Sequence, residues 1–332
     1  MHKSTFLVIL LLLTTPFALA QQSTRPVPVI FDTDIGPDYD DVGAITLLHA
    51  LADSGQATIL ATIASSKYPS VVPVLSVFNT YFGRPGIPVG VPKGEAVTDA
   101  DKQHWSDTIV ARYPHKLKTN DQAPDAVALY RQVLAAQPDG SVTVVTVGFL
   151  TNLDNLLASP ADKHSKLTGR QLVQQKVKQL VCMAGKFPEG REFNVFKDPA
   201  ASRRVYDNWP TPILFSGFEI GQKIKTGLPL VQNKNIRNSP VKDVFRISIP
   251  LDPEDKGGRM SWDQTAVLVA IKGAAPYYTT RPGRFVTLAD GSNRWDANGK
   301  GHSYLVEKMP VPQVTQLING YMMHQPAKKT RQ

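Results

Sequence analysis

Short runs of β-branched and other apolar residues recur along this chain with little polar alternation inside them: VPVIF (27–31), ATILATIA (57–64), IPVGV (87–91), VTVVTVG (142–148), VKQLVCMAG (177–185) and TPILFSG (211–217). A strand with one wet face alternates apolar and polar residues, so continuous runs predict strands buried on both faces, as in a parallel sheet. Segments of helical period lie between them, over Val42–Leu51, Val71–Tyr81, Ala123–Ala136 and Ala200–Tyr206. This alternation predicts an α/β fold with a doubly wound, mostly parallel sheet flanked by helices. Ligands of such sheets bind beyond the carboxyl ends of the strands. The segments DTD, VGFLTN and MAGK, which follow three of the runs, are therefore where chemistry is expected.

Composition narrows the class without changing the fold. With 332 residues, 42% hydrophobic and 20% charged, the chain has enough apolar material for a sizeable core. Its first twenty residues read as a cleaved secretory signal: Lys3, the apolar run Phe6–Leu13, then Ala18-Leu19-Ala20. That run is too short to span a bilayer, so the expectation is a secreted or periplasmic protein starting near Gln21, with no stable membrane insertion and 21–332 as one domain. Cys182 is the single cysteine, which excludes an intrachain disulfide, and its apolar setting LVCMAG predicts a buried, inert thiol. The net charge of +9 comes from scattered basic residues, apart from the terminal KKTRQ. Without interleaved aromatic and arginine residues, nucleic acid is not an expected partner.

The stretch VIFDTDIGPDYDDVGA carries Asp32, Asp34, Asp38, Asp40 and Asp41 at a strand-to-helix junction. Carboxylates this close repel one another, and a bound cation relieves that repulsion. Oxygen ligands with no His or Cys nearby point to Ca²⁺ or Mg²⁺ rather than zinc. A helix N-terminus explains Asp40 and Asp41 but not the set. A phosphatase of the haloacid-dehalogenase type would use Asp32 as nucleophile and Asp34 as acid. It leaves the other three aspartates without a role, and Gly36 stands where that motif normally has Thr or Val.

DTDIGPDYDD resembles the metal motif of the nucleoside hydrolases, the inosine/uridine-preferring N-ribohydrolases. VGFLTNLDNLL (Val147–Leu157), MAGKFPEGREFNVFKDPAA (Met183–Ala201) and SWDQTAVL (Ser261–Leu268) follow in the family's order. The resemblance implies that Asp34, Asp41, Asp263 and the Val147 carbonyl bind Ca²⁺. It implies that Asp40 is the general base taking a proton from the attacking water, and that Glu192 and Asn194 hold the ribose hydroxyls, with Met183 in the same substrate-binding segment. Without the resemblance, Asp263 reads equally well as the N-cap of the helix QTAVLVAIK. The reaction implied is hydrolysis of an N-glycosidic bond through an oxocarbenium-like transition state. A small-molecule nucleoside is the implied partner, and a homodimer or homotetramer is in keeping with the family.

Departures from the family pattern bear on substrate. Trp262 replaces a histidine that protonates the departing base, as in the purine-preferring branch, where an indole stacks on the base. KFPEGR replaces a GN sequence that helps hold the 5′-hydroxyl, and Ser66-Lys67 replaces a sugar-binding asparagine. Lys67, Lys186 and Arg191 suit a more anionic or differently substituted ribosyl group, although surface placement is the commoner fate of such residues, and Asp38 competes with Asp40 as base or with Asp34 as ligand. Three functions compete: a purine-nucleoside hydrolase of nucleoside salvage, a hydrolase of another N-riboside, and a non-catalytic Ca²⁺-dependent sugar-binding protein. The retained Asp40 argues against the last.

Overall fold

A computed structural model describes residues 25–326. Residues 1–20, for which a cleaved signal is expected, and the terminal KKTRQ lie outside the described residues. The strands are β1 (Val27–Thr33), β2 (Ala57–Ala64), β3 (Val89–Gly90), β4 (Val142–Thr146), β5 (Val177–Met183), β6 (Glu189–Arg191), β7 (Ile213–Ser216), β8 (Lys225–Thr226), β9 (Arg259–Met260), β10 (Tyr278–Thr287), β11 (Ser292–Asp296) and β12 (His302–Glu307). Ten of them form one sheet in the order β3-β2-β1-β4-β5-β7-β12-β10-β11-β6, while β8 and β9 pair as a separate ribbon. Every pairing from β3 across to β12 is parallel. Strand order reverses at β1, where β2 lies on one side and β4 on the other, which creates the crevice in which ligands of doubly wound sheets bind.

The reason for continuous apolar runs is visible along β1. Val29 and Phe31 are fully buried on one face, in a core shared with helices Asp40–Asp53, Val71–Tyr81 and Trp262–Lys272. Ile30 is fully buried on the other face, with helices Ala126–Ala135, Thr151–Ala158 and Pro199–Asn208. Each such side chain contributes about 1.5–3 kcal/mol on leaving water, so neither face tolerates a polar residue without partners.

Differences from expectation have local causes. The run IPVGV keeps only Val89 and Gly90 as strand, at the sheet edge. Helix Ala126–Ala135 starts three residues later than its period suggests, because Pro124 precedes it and the Asp125 carboxylate accepts the Ala128 N–H at 3.1 Å as its cap. The antiparallel side of the sheet, β10, β11 and β6, has no counterpart in the apolar runs. In β10 the segment TTRP is exposed, so no continuous apolar stretch marks it. Cys182 is buried, as expected. Among the described residues no helix is long and apolar enough to cross a membrane.

Candidate active site

Asp32 and Asp34 flank the end of β1 and part ways there. Asp32 faces the second core, where Tyr130 Oη donates to it at 2.9 Å and Asn152 Nδ2 at 3.0 Å. Burial pushes its carboxyl up to about 7, against the pull of those two hydrogen bonds. Asp32 does not reach the cavity described next, which removes the phosphatase reading. Asp34 does reach it, and glycine makes that possible. A Cβ on Gly148 would stand 2.5 Å from the Asp34 nitrogen and 2.4 Å from Ser65 Oγ, so the loops after β1 and β4 touch only because residue 148 has none.

The cavity, about 220 Å³, opens beyond the carboxyl ends of β1, β4, β5 and β7. Of the residues singled out from sequence, it brings together Asp34, Asp38, Asp40, Val147, Met183, Glu192, Asn194, Trp262 and Asp263. Asp41 is fully buried beside them, where the Thr33 hydroxyl donates a short hydrogen bond to it. Lys67 is not in the wall; it is half-buried and its N–H donates to the Val97 carbonyl. Ser66 is buried, its hydroxyl accepting from the Tyr68 N–H. Lys186 and Arg191 are exposed, stacked over the rings of Phe218 and Phe196. A larger groove of about 570 Å³ lies elsewhere, around Tyr81 and Tyr113, but its acid, Asp243, is already paired with Arg112. Chemistry rather than size singles out the smaller cavity.

Helix Asp40–Asp53 begins with Tyr39 at the N-cap and no side-chain cap, leaving Asp40 and Asp41 in the first turn. Asp40 instead caps a different helix: its Oδ2 accepts the N–H groups of Trp262 at 3.1 Å and Asp263 at 3.3 Å. Asp263 is therefore not the N-cap of its own helix. Ser261 holds that position, and Asp263, in the first turn, turns to the cavity. Asn194 donates to the carbonyls of Val147 (3.0 Å) and Met183 (3.2 Å), tying the loops after β4 and β5 together. Glu192 caps the short helix Phe193–Lys197, accepting from the Asn194, Val195 and Gly185 N–H groups. Burial nevertheless raises its carboxyl to about 7. Trp262 is half-buried, its Nε1 donating to the Phe218 carbonyl at 2.8 Å while the two rings stack at 5.2 Å.

One residue of the site escaped the sequence reading. Arg259, only 9% exposed, reaches from β9 to Asp38, Asp40 and Asp255. Its only sequence signal was a basic residue four positions before Asp263, which says nothing by itself.

The charge balance is uneven. Burial first, then the neighbouring carboxylates, holds Asp34, Asp40 and Asp263 well above the usual carboxylate range and Asp41 up at about 7. Asp38 goes the other way: burial is the largest influence and opposes its charge, but the Arg259 guanidinium and hydrogen bonds from Asp40 and the Tyr39 and Asp40 N–H groups together outweigh it and pull the carboxyl down. Among the described residues, these five aspartates thus face a single guanidinium, and Asp41 Oδ2 is buried without a hydrogen-bond partner. Oxygens of Asp38, Asp40 and Asp41 lie within 4.8 Å of one another. An all-oxygen, acid-rich set with an orphaned buried oxygen fits a hard divalent cation.

Fold and site together define a doubly wound α/β protein with an acidic, cation-suited cavity at its topological switch point. The chain belongs to the inosine-uridine preferring nucleoside hydrolase family, whose model matches residues 29–307. It is 31% identical over 209 residues to the pyrimidine-specific ribonucleoside hydrolase RihA of Shewanella sp. ANA-3, a match covering 58% of this chain and 59% of that protein. Over 234 residues it is 24% identical to the inosine-uridine preferring nucleoside hydrolase of Crithidia fasciculata, covering 67% of this chain and 70% of that one. Among solved structures, the purine-preferring ribonucleoside hydrolase from Gardnerella vaginalis superposes with a TM-score of 0.69 at 17% identity, over 89% of this chain and 99% of its own.

Proposed function

We propose that this chain hydrolyses the N-glycosidic bond of ribonucleosides, with purine bases preferred, to ribose and free base in a Ca²⁺-dependent reaction. The observation that carries the reading is the excess of buried carboxylates at the mouth of β1 and β4, facing an aromatic wall. Asp34, Asp41, Asp263 and the Val147 carbonyl would hold the ion, since a carbonyl that accepts from Asn194 keeps a second lone pair. Bound there, the ion would make the attacking water more acidic and would offset the repulsion among the acids.

Asp40 would take the proton from the attacking water. Both its oxygens are already fixed, one by Arg259 and one by the start of helix Trp262–Lys272, so the base is oriented before substrate arrives. Glu192 and Asn194 meet the ribose hydroxyls, and the carboxylates nearby stabilise positive charge that develops at the anomeric carbon. Trp262 and Phe218 form an apolar wall that suits a flat base and excludes water from the departing side. Among the described residues no histidine lines this cavity to protonate the base, so stacking carries more of the leaving-group assistance. Export through a cleaved signal over 1–20 would place the activity in nucleoside salvage outside the cytoplasm.

The test is ribose release from inosine, adenosine, guanosine, uridine and cytidine by the purified protein, with and without EDTA. Release from the purine nucleosides, lost on chelation, is expected. Release from uridine and cytidine alone would reverse the base preference while keeping the chemistry, and silence on all five with Ca²⁺ bound would overturn the reading.

A further inference from the structure

Arg259 is fixed from every direction the structure shows. Its Nη2 makes a very short ion pair with Asp38 and lies 3.0 Å from Asp40 Oδ1, with Nε at 3.3 Å from the same oxygen. Its Nη1 lies 3.7 Å from Asp255, and Asp255 accepts a short hydrogen bond from the Tyr39 hydroxyl. The guanidinium stands over the Tyr39 ring at 4.8 Å and the Trp262 ring at 5.2 Å. A side chain held by three acids and two aromatic rings does not swing aside to admit another cation. Yet Asp38, Asp40 and Asp41, without it, would present three oxygens close enough to hold an ion themselves.

We infer that Arg259 is a resident counter-cation that divides the acidic cluster. It keeps Asp38 and Asp40 out of the metal's ligand shell, leaving Asp34, Asp41 and Asp263 to hold the ion and Asp40 to act on water. Asp38 is then the anchor of the guanidinium, neither ligand nor base, and Arg259 is a positioning residue. This rests on the cation reading given above, but not on turnover.

Calorimetric titration of the EDTA-stripped protein with Ca²⁺ tests it. Affinity in such sites follows the number of carboxylates available. Arg259→Met should therefore tighten Ca²⁺ binding by about tenfold or more, as two carboxylates become available to the ion. Arg259→Lys should restore affinity towards the wild-type value, and adding Asp38→Asn to Arg259→Met should reverse part of the gain. In the wild-type background Asp38→Asn should change Ca²⁺ affinity by less than about tenfold. Unchanged or weaker binding in Arg259→Met, or a larger loss in Asp38→Asn, overturns the proposal, and the second variant decides if the first does not fold. A wild-type protein that binds no Ca²⁺ overturns it too. One that binds as described but releases no ribose contradicts only the proposed function.

Discussion

Asp32 and Asp34 are two residues apart at the end of β1, and they lie in opposite kinds of burial. Asp32 has neutral donors, Tyr130 and Asn152, both on Oδ2, while its Oδ1 is buried without a partner, and burial away from other acids raises its carboxyl to about 7. Asp34 has other acids for neighbours and no guanidinium of its own. The difference teaches that a buried carboxylate is not a site by virtue of burial. What marks the site is an excess of acids that the protein's own donors leave unbalanced, and that excess is confined to the cavity side of the strand.

The largest loss is expected at Asp40, the proposed base. Asp40→Asn should lower kcat by about a thousandfold, the scale of a lost general base, while calorimetry still finds Ca²⁺ bound. On the other side of the strand, Asp32→Ala should cost about 2–3 kcal/mol in a urea titration by stranding Tyr130 Oη and one of the two N–H groups of Asn152 Nδ2, the other being held by the Ala64 carbonyl, with kcat of the folded enzyme little changed. A large kcat loss there would merge the two environments that the structure separates.

His49 sharpens the same rule with the opposite charge. It is fully buried, beside Asn79 at 3.2 Å and stacked on Phe82, and burial lowers its pKa from 6.5 to about 3. The folded form stays neutral while the unfolded chain takes up a proton below 6.5. Stability supplied by neutral His49 is therefore complete above pH 6.5 and is lost as pH falls towards 3, at up to about 1.4 kcal/mol per pH unit. Urea midpoints between pH 4 and 7 should fall more steeply on acidification in the wild type than in His49→Gln. The smallest effect belongs to Lys67→Ala. Because Lys67 is outside the cavity wall, kcat/KM for inosine should stay within about threefold, a change below 1 kcal/mol.

The parallel half of the fold was legible because both faces of its strands are buried, which writes continuous apolar runs into the sequence. The antiparallel extension was not, since the exposed part of β10 leaves only scattered apolar positions. Likewise the acids were legible as a local cluster and a four-motif resemblance, whereas Arg259 was silent. Its meaning comes from contacts with Asp38 and Asp40 more than two hundred residues away, which no local pattern encodes. The cap of helix Trp262–Lys272 shows the same limit. Local chemistry offered Asp263, but the fold brings Asp40 to those N–H groups and sends Asp263 to the cavity.

The unbalanced acids are proposed to hold an ion that the reaction requires. The direct measurement is the initial rate of ribose release from inosine as Ca²⁺ is titrated into the EDTA-stripped protein, with bound ion followed in parallel by calorimetry. No release is expected without the ion, and the rate should rise with occupancy and level off at one ion per chain. Ribose release that is complete before any ion binds, or that ignores occupancy, would contradict it.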